Sequence, residues 1–215
     1  MFLIVDNYFF IDYTCFWLNR QMKEDSLMNE TQTQTKLQAS QKFSAKEICY
    51  VALFTAVIAV MAQISIPMPL GVPMTMQTFA ITLAAVVVGA KLSTISTTIY
   101  LLLGAVGVPV LAGFSGGLSK FVGPTGGFLI SFPLMAFIIG FGVEHRKAFK
   151  GAYILSLIAG TLVNYVIGVI MFCLLTKSSV MTGITACVLP FIPTAIIKAI
   201  LATILGFEIR KRLKL

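Results

Sequence analysis

The chain has 215 residues, 58% of them hydrophobic and only 11% charged, with a mean hydropathy of +0.94. That composition excludes a soluble domain with a polar surface and fits one integral membrane domain. A formal net charge of +8 could suggest a nucleic-acid partner, but the basic residues are scattered between apolar runs rather than gathered on one face, so none is expected.

Residues 1–42 differ from everything after them. The first 18 are rich in aromatics but carry Asp6 and Asp12, lack a basic leader and show no small-residue cleavage site, which makes a poor signal peptide. An interfacial anchor is the alternative reading. Residues 19–42 are polar and are expected to form a disordered cytoplasmic tail, with Met22 and Met28 as candidate translation starts. The membrane domain is then residues 43–215.

A helix crossing a bilayer core needs about 20 apolar residues, and somewhat fewer where neighbours shield it. Six segments qualify, at about 46–65, 75–90, 92–108, 127–143, 152–175 and 186–208, which predicts an all-α, six-span protein. The second runs into the third through Gly89, Ala90 and Lys91, so that boundary is weakly marked. Lys42, Lys46, Lys91, Arg146, Lys147, Lys150, Arg210, Lys211, Arg212 and Lys214 fall on one side of this arrangement, against Lys120 and Lys177 on the other. Excess Lys and Arg marks the cytoplasmic side, so both termini are expected there.

Two loops on the opposite side are unusual. Ile66 to Thr75 (IPMPLGVPMT) holds three prolines and a glycine, which suits an ordered, nonhelical turn. Pro109 to Gly127 (PVLAGFSGGLSKFVGPTGG) is glycine-rich, with apolar residues interleaved. Such a loop can pack back onto the helices, approach a ligand closely and offer backbone amides to it. Together the loops could lid an outward-facing pocket, and a plain flexible connector is the simpler alternative.

Lys198 lies inside the apolar stretch from Thr185 to Phe207, where no acid can neutralise it. A charge at membrane depth is unfavourable by roughly a few kcal/mol, so it normally faces a partner, a cavity or a ligand. The three acids after residue 42, Glu47, Glu144 and Glu208, sit at segment edges beside basic residues. An anionic ligand is the natural complement.

The same inventory excludes several activities. A proton-coupled carrier usually needs an intramembrane carboxylate, and no span interior holds one. A metalloprotease needs histidine and carboxylate ligands, but the only histidine is His145, in the basic stretch HRKAFK. A serine-type membrane hydrolase lacks a base, and no ring of charges or filter-like repeat suggests a channel. Cys15, Cys49, Cys173 and Cys187 show no CxxC spacing and read as small packing residues. Without a GxxxxGK[ST] stretch, any ATP must be hydrolysed by another subunit. Binding without chemistry, and without a cofactor or metal, is the expectation.

QISIPMPLGVPMTMQTFA from Gln63, LLLGAVGVPVLAG from Leu101, GPTGGF from Gly123 and LPFIPTAIIKA from Leu189 resemble the BioY family, the biotin-specific substrate-binding subunits (S components) of energy-coupling factor (ECF) transporters. The resemblance covers about residues 46–212. It implies the six-helix S-component fold in a bacterial plasma membrane. It also implies biotin held near the outer face beneath the two loops, with uptake driven by a transmembrane coupling subunit and two ATPases. Lys198 matches the lysine of the family motif PGDxxK, but Ala195 stands where that motif has its aspartate. The aspartate is expected to accept hydrogen bonds from the ureido nitrogens, so another acceptor must stand in. Thr194, Asn164, Tyr165 and Gln77 are candidates. Lys120, with Ser115, Ser119 and loop amides including those of Gly126 and Gly127, is the expected partner of the ligand carboxylate.

Ala52 and Ala56 form an AxxxA spacing on the first segment, continued by Ala59 and Ala62. Small residues at i and i+4 let helices approach closely. The resemblance implies that Ala52 and Ala56 dock the coupling subunit, and packing within the chain is the alternative. A different carboxylated vitamin, a stand-alone biotin facilitator and a vitamin sensor remain the other functional readings.

Overall fold

The computed structural model describes residues 20, 21, 23, 43–68, 72–147 and 151–213. Apart from residues 20, 21 and 23, the predicted amino-terminal leader, tail and candidate starts lie outside the described residues. The description below concerns Ala45–Leu215, which forms a compact unit by itself.

Its helices are α1 (Ala45–Gln63), α2 (Gln77–Val106), α3 (Gly126–Glu144), α4 (Ala152–Thr176), the short α5 (Val180–Cys187) and α6 (Ile192–Leu213). Among the described residues, five stretches are long and apolar enough to cross a membrane: α1, α2, α3, α4 and the run Val180–Leu213 that joins α5 to α6. The count differs from the predicted six because the second and third predicted segments share α2.

The interior of α2 explains that difference. Gly89 breaks the helix with φ 82° and ψ −174°, a left-handed conformation that side-chain-bearing residues rarely adopt. The Gln77 amide nitrogen donates to the Tyr100 hydroxyl although 23 residues separate them. An unbroken helix would hold them roughly 35 Å apart. Hence α2 is a hairpin of two antiparallel limbs, Gln77–Val88 and Ala90–Val106. Backbone groups freed at the break find side-chain partners: Ala90 N–H donates to Glu144 Oε1 at 2.8 Å, and Arg210 Nη1 donates to the Val86 carbonyl at 2.9 Å. An acid at the start of one limb and a base at the end of the other also suit the two helix dipoles.

The predicted last segment, 186–208, begins later in the structure. Ser179 caps α5 by accepting from Thr182 N–H at 3.2 Å, a 3-10 turn follows at Leu189–Phe191, and α6 starts at Ile192. Pro193 falls in the first turn of α6, where its missing donor breaks no helical bond. After α1, Ser65–Ile66 (β1) pairs antiparallel with Met74–Thr75 (β2), which joins the two ends of the proline-rich stretch.

Burial separates inner from outer helices. The first limb of α2 is covered on nearly every side: Phe79, Leu83, Ala84 and Val87 pack with Phe54 of α1 and Ala202 of α6, while Ala85 and Val86 pack with Met135 and Ile139 of α3 and Tyr153 of α4. Ile58, Ile81, Tyr100, Leu129 and Phe132 form the adjoining core beneath the glycine-rich loop, closed by Leu111 of that loop. α1, α4 and α6 instead leave long apolar stripes outside, such as Leu155, Ile158, Leu162 and Val166 on α4. Apolar helices with so much apolar surface exposed require a lipid surround or protein partners.

Candidate ligand-binding site

A cavity of about 440 Å³ opens at the end of the bundle remote from the Gly89 break. Its wall combines Thr75 of β2, the start of α2, the glycine-rich loop, the first turns of α3, the middle of α4, Cys187 at the end of α5, and α6 from Thr194 to Lys198. That volume suits a small organic ligand. Val72, Leu111, Phe128, Leu129, Phe132 and Phe191 supply its apolar surface.

Eight of the residues singled out from the sequence line this one space: Lys198, Lys120, Gln77, Ser115, Ser119, Thr194, Asn164 and Tyr165. They come from four separate elements, with between one and three residues each. Half-buried Lys198 reaches from α6 across to β2 and donates to the Thr75 carbonyl at 2.6 Å. Thr75 Oγ1 donates in turn to Gln77 Oε1 at 2.8 Å, and with the Gln77–Tyr100 bond this fixes the start of α2. Buried Asn164 gives its amide nitrogen to Ser131 Oγ at 2.8 Å and to the Phe128 carbonyl at 3.2 Å. The Thr194 hydroxyl turns back to the Phe191 carbonyl at 2.9 Å. Ala195 lines the same wall and brings no polar atom beyond its backbone.

Exposed Lys120 stands at the rim, on the 3-10 turn Leu118–Lys120. Ser119 is exposed beside it, and Ser115 donates to the Ala112 carbonyl at 2.7 Å. Gly126 and Gly127 are placed differently. Both are buried in the first turn of α3 and neither lines the cavity; a Cβ on Gly126 would stand 1.9 Å from the Phe121 carbonyl oxygen, and one on Gly127 would stand 2.7 Å from that of Ile167. Close packing onto the loop and onto α4 is what these two glycines allow.

Gln63, the first residue of the run QISIPMPLGVPMTMQTFA, ties the glycine-rich loop to α1. Its amide nitrogen donates to the Ala59 and Val110 carbonyls at 3.0 and 3.1 Å, while Oε1 accepts from Phe114 N–H at 2.8 Å. One side chain at the end of α1 therefore holds the glycine-rich loop at two points, including Phe114, whose φ is 53°. Its signal in the sequence was being the only amide side chain in the first apolar segment. The Thr75 carbonyl that receives Lys198 carried no such signal, because every residue has a carbonyl.

Charge is distributed unevenly. Among the described residues, the cavity is lined by two cationic side chains, Lys198 and Lys120, and by no carboxylate. Glu144 and Arg210 lie instead at the Gly89 break, and Arg146 stacks over the Phe207 ring at 4.6 Å, all toward the other end. On α1, Ala52 and Ala56 are exposed alongside Leu53 and Val60, whereas Ala62 is buried. The small-residue stripe is thus divided between an outward and an inward face.

The model of the BioY family matches residues 32–215. A probable biotin transporter BioY of Pyrococcus horikoshii is 44% identical over 165 residues, covering 75% of this chain and 94% of that protein. The biotin transporter BioY of Thermotoga maritima is 37% identical over 166 residues, covering 77% of this chain and 96% of that one. Among solved structures, the S-component for biotin from an ECF-type ABC transporter superposes with a TM-score of 0.71 at 31% identity, covering 79% of this chain and 95% of that chain.

Proposed function

The chain belongs to the BioY family, and we propose that it captures biotin from the outer face of a bacterial plasma membrane and delivers it inward as the S component of an ECF transporter. It is a transport subunit and not an enzyme. The observation that carries the ligand reading is the charge of the cavity: among the described residues, two lysines and no carboxylate line a largely apolar space, which suits a carboxylated, otherwise neutral molecule. Lys198 holds the neutral ring system at depth, and Lys120 meets the carboxylate at the rim. Replacing Lys198 with Met is expected to weaken biotin by roughly 30- to 100-fold, the effect of removing a hydrogen bond from a charged group. Calorimetric titration of purified wild type and Lys198→Met in detergent measures this. Wild type that is folded but does not bind biotin would sink the proposal.

The two limbs of α2 count as separate crossings in this reading, which makes six, with both termini in the cytoplasm. The Lys- and Arg-rich end near Gly89 then faces inward and the cavity outward. Biotin enters, the proline-rich and glycine-rich loops close over it, and partner subunits that bind loaded and empty states differently reorient the site. Those partners are a transmembrane coupling subunit and two ATPases, docked on the outward face of α1 at Ala52 and Ala56. Leucine at both positions should leave biotin affinity unchanged and abolish co-purification with co-expressed ECF subunits. Retained co-purification would place the contact elsewhere.

A further inference from the structure

We infer that Asn164 Oδ1 is the hydrogen-bond acceptor for the ureido N–H groups of the bound ligand, taking the place left empty by Ala195. The inference rests on the biotin reading above and assigns one contact within it. Its basis is the orientation of the Asn164 amide. The nitrogen faces two oxygens, Ser131 Oγ at 2.8 Å and the Phe128 carbonyl at 3.2 Å. Ser131 Oγ has its own hydrogen directed to the Phe128 carbonyl at 2.9 Å, so it is an acceptor toward Asn164. Flipping the amide would set Oδ1 against a carbonyl that can only accept, so the orientation is fixed from below.

This leaves Oδ1 without a protein partner. Asn164 is 2% exposed, yet among the described residues no sealed side-chain oxygen or nitrogen lacks a partner, so Oδ1 opens into the space that the residue lines. Asn164 and Ala195 both border the main cavity and a chamber of about 20 Å³ next to it. A carboxylate at 195 would therefore border the same two spaces as Asn164. The other candidates differ in chemistry: Gln77 Oε1 already takes the Thr75 hydroxyl hydrogen, the Thr194 hydroxyl donates to Phe191, and the Thr194 and Tyr165 hydroxyls are donors as well as acceptors, whereas Asn164 Oδ1 only accepts. A buried amide oxygen with both nitrogen hydrogens used is a neutral acceptor, matched to a neutral N–H donor and not to an anion.

Calorimetry on full-length protein in detergent tests the assignment with biotin and with biotin methylated on both ureido nitrogens. Wild type should prefer biotin strongly. Asn164→Leu should weaken biotin by about 10- to 100-fold and remove most of that preference, the result of leaving a donor unpaired. Adding Ala195→Asp to Asn164→Leu should restore biotin binding, an effect that a purely structural role for Asn164 would not allow. Should the leucine variant fail to fold, Asn164→Ala removes the same oxygen with less bulk and should lose the preference in the same way. Wild type that binds biotin, with Asn164→Leu or Asn164→Ala weakening both ligands equally or neither, would overturn this assignment alone. Wild type that binds no biotin would overturn the functional reading and the assignment with it.

Discussion

Lys198 leaves the second turn of α6 and ends on the Thr75 carbonyl, 123 residues earlier in the chain. Its partner there is a neutral carbonyl, so no carboxylate competes with a ligand for the lysine head group. Lys120 differs, since it is exposed at the rim and screened by water. Its predicted contribution is therefore modest and specific: Lys120→Met should weaken biotin by about tenfold and leave biotin methyl ester, which has no carboxylate, unchanged. Titrations with both ligands check this, and equal losses would contradict the pairing. Lys198 was legible in the sequence because a cation inside an apolar run is conspicuous. The Thr75 carbonyl and the Gln63 anchor depend on where distant segments meet, which residue type alone does not encode.

Segments of apolar residues mark where helices lie, and the predicted ends at 46–65, 127–143 and 152–175 fall within a few residues of α1, α3 and α4. The break at Gly89 was harder to read, because Gly89 and Ala90 interrupt hydrophobicity very little and the nearby lysine is single. Glu144 and Arg210, which complete that break, come from other helices. The start of α6 was misplaced for a similar reason: α5, the Leu189–Phe191 turn and α6 form one unbroken apolar run, and only the turn divides it. Glycines at the start of α3 illustrate the same limit, since a glycine that admits a ligand and one that admits a helix look alike in sequence. Gly127→Ala separates the two roles. A Cβ there would meet the Ile167 carbonyl and Met171 at 2.7 Å, so α3 and α4 must part, at about 1–3 kcal/mol of stability. Thermal unfolding in detergent should show a lower midpoint. Weakened biotin binding with an unchanged midpoint would instead make Gly127 a ligand contact.

Across the whole molecule, polar function is divided between two ends. One end holds the cavity with its two lysines, and the other holds Glu144, Arg146 and Arg210 around the break in α2. Between them the first limb of α2 is packed on nearly every side, so it is the fixed post around which α1, α3 and α6 are arranged, with α4 packed on α3. A ligand seated beside this post touches residues from most of the bundle, which gives a loaded subunit a means of differing from an empty one. The most direct test of this account is a structure of the purified protein determined with biotin added. The account predicts one biotin per chain in the cavity, with its ureido ring between Lys198 and Asn164 and its carboxylate toward Lys120. Biotin bound elsewhere, or an empty cavity at saturating biotin, would contradict it.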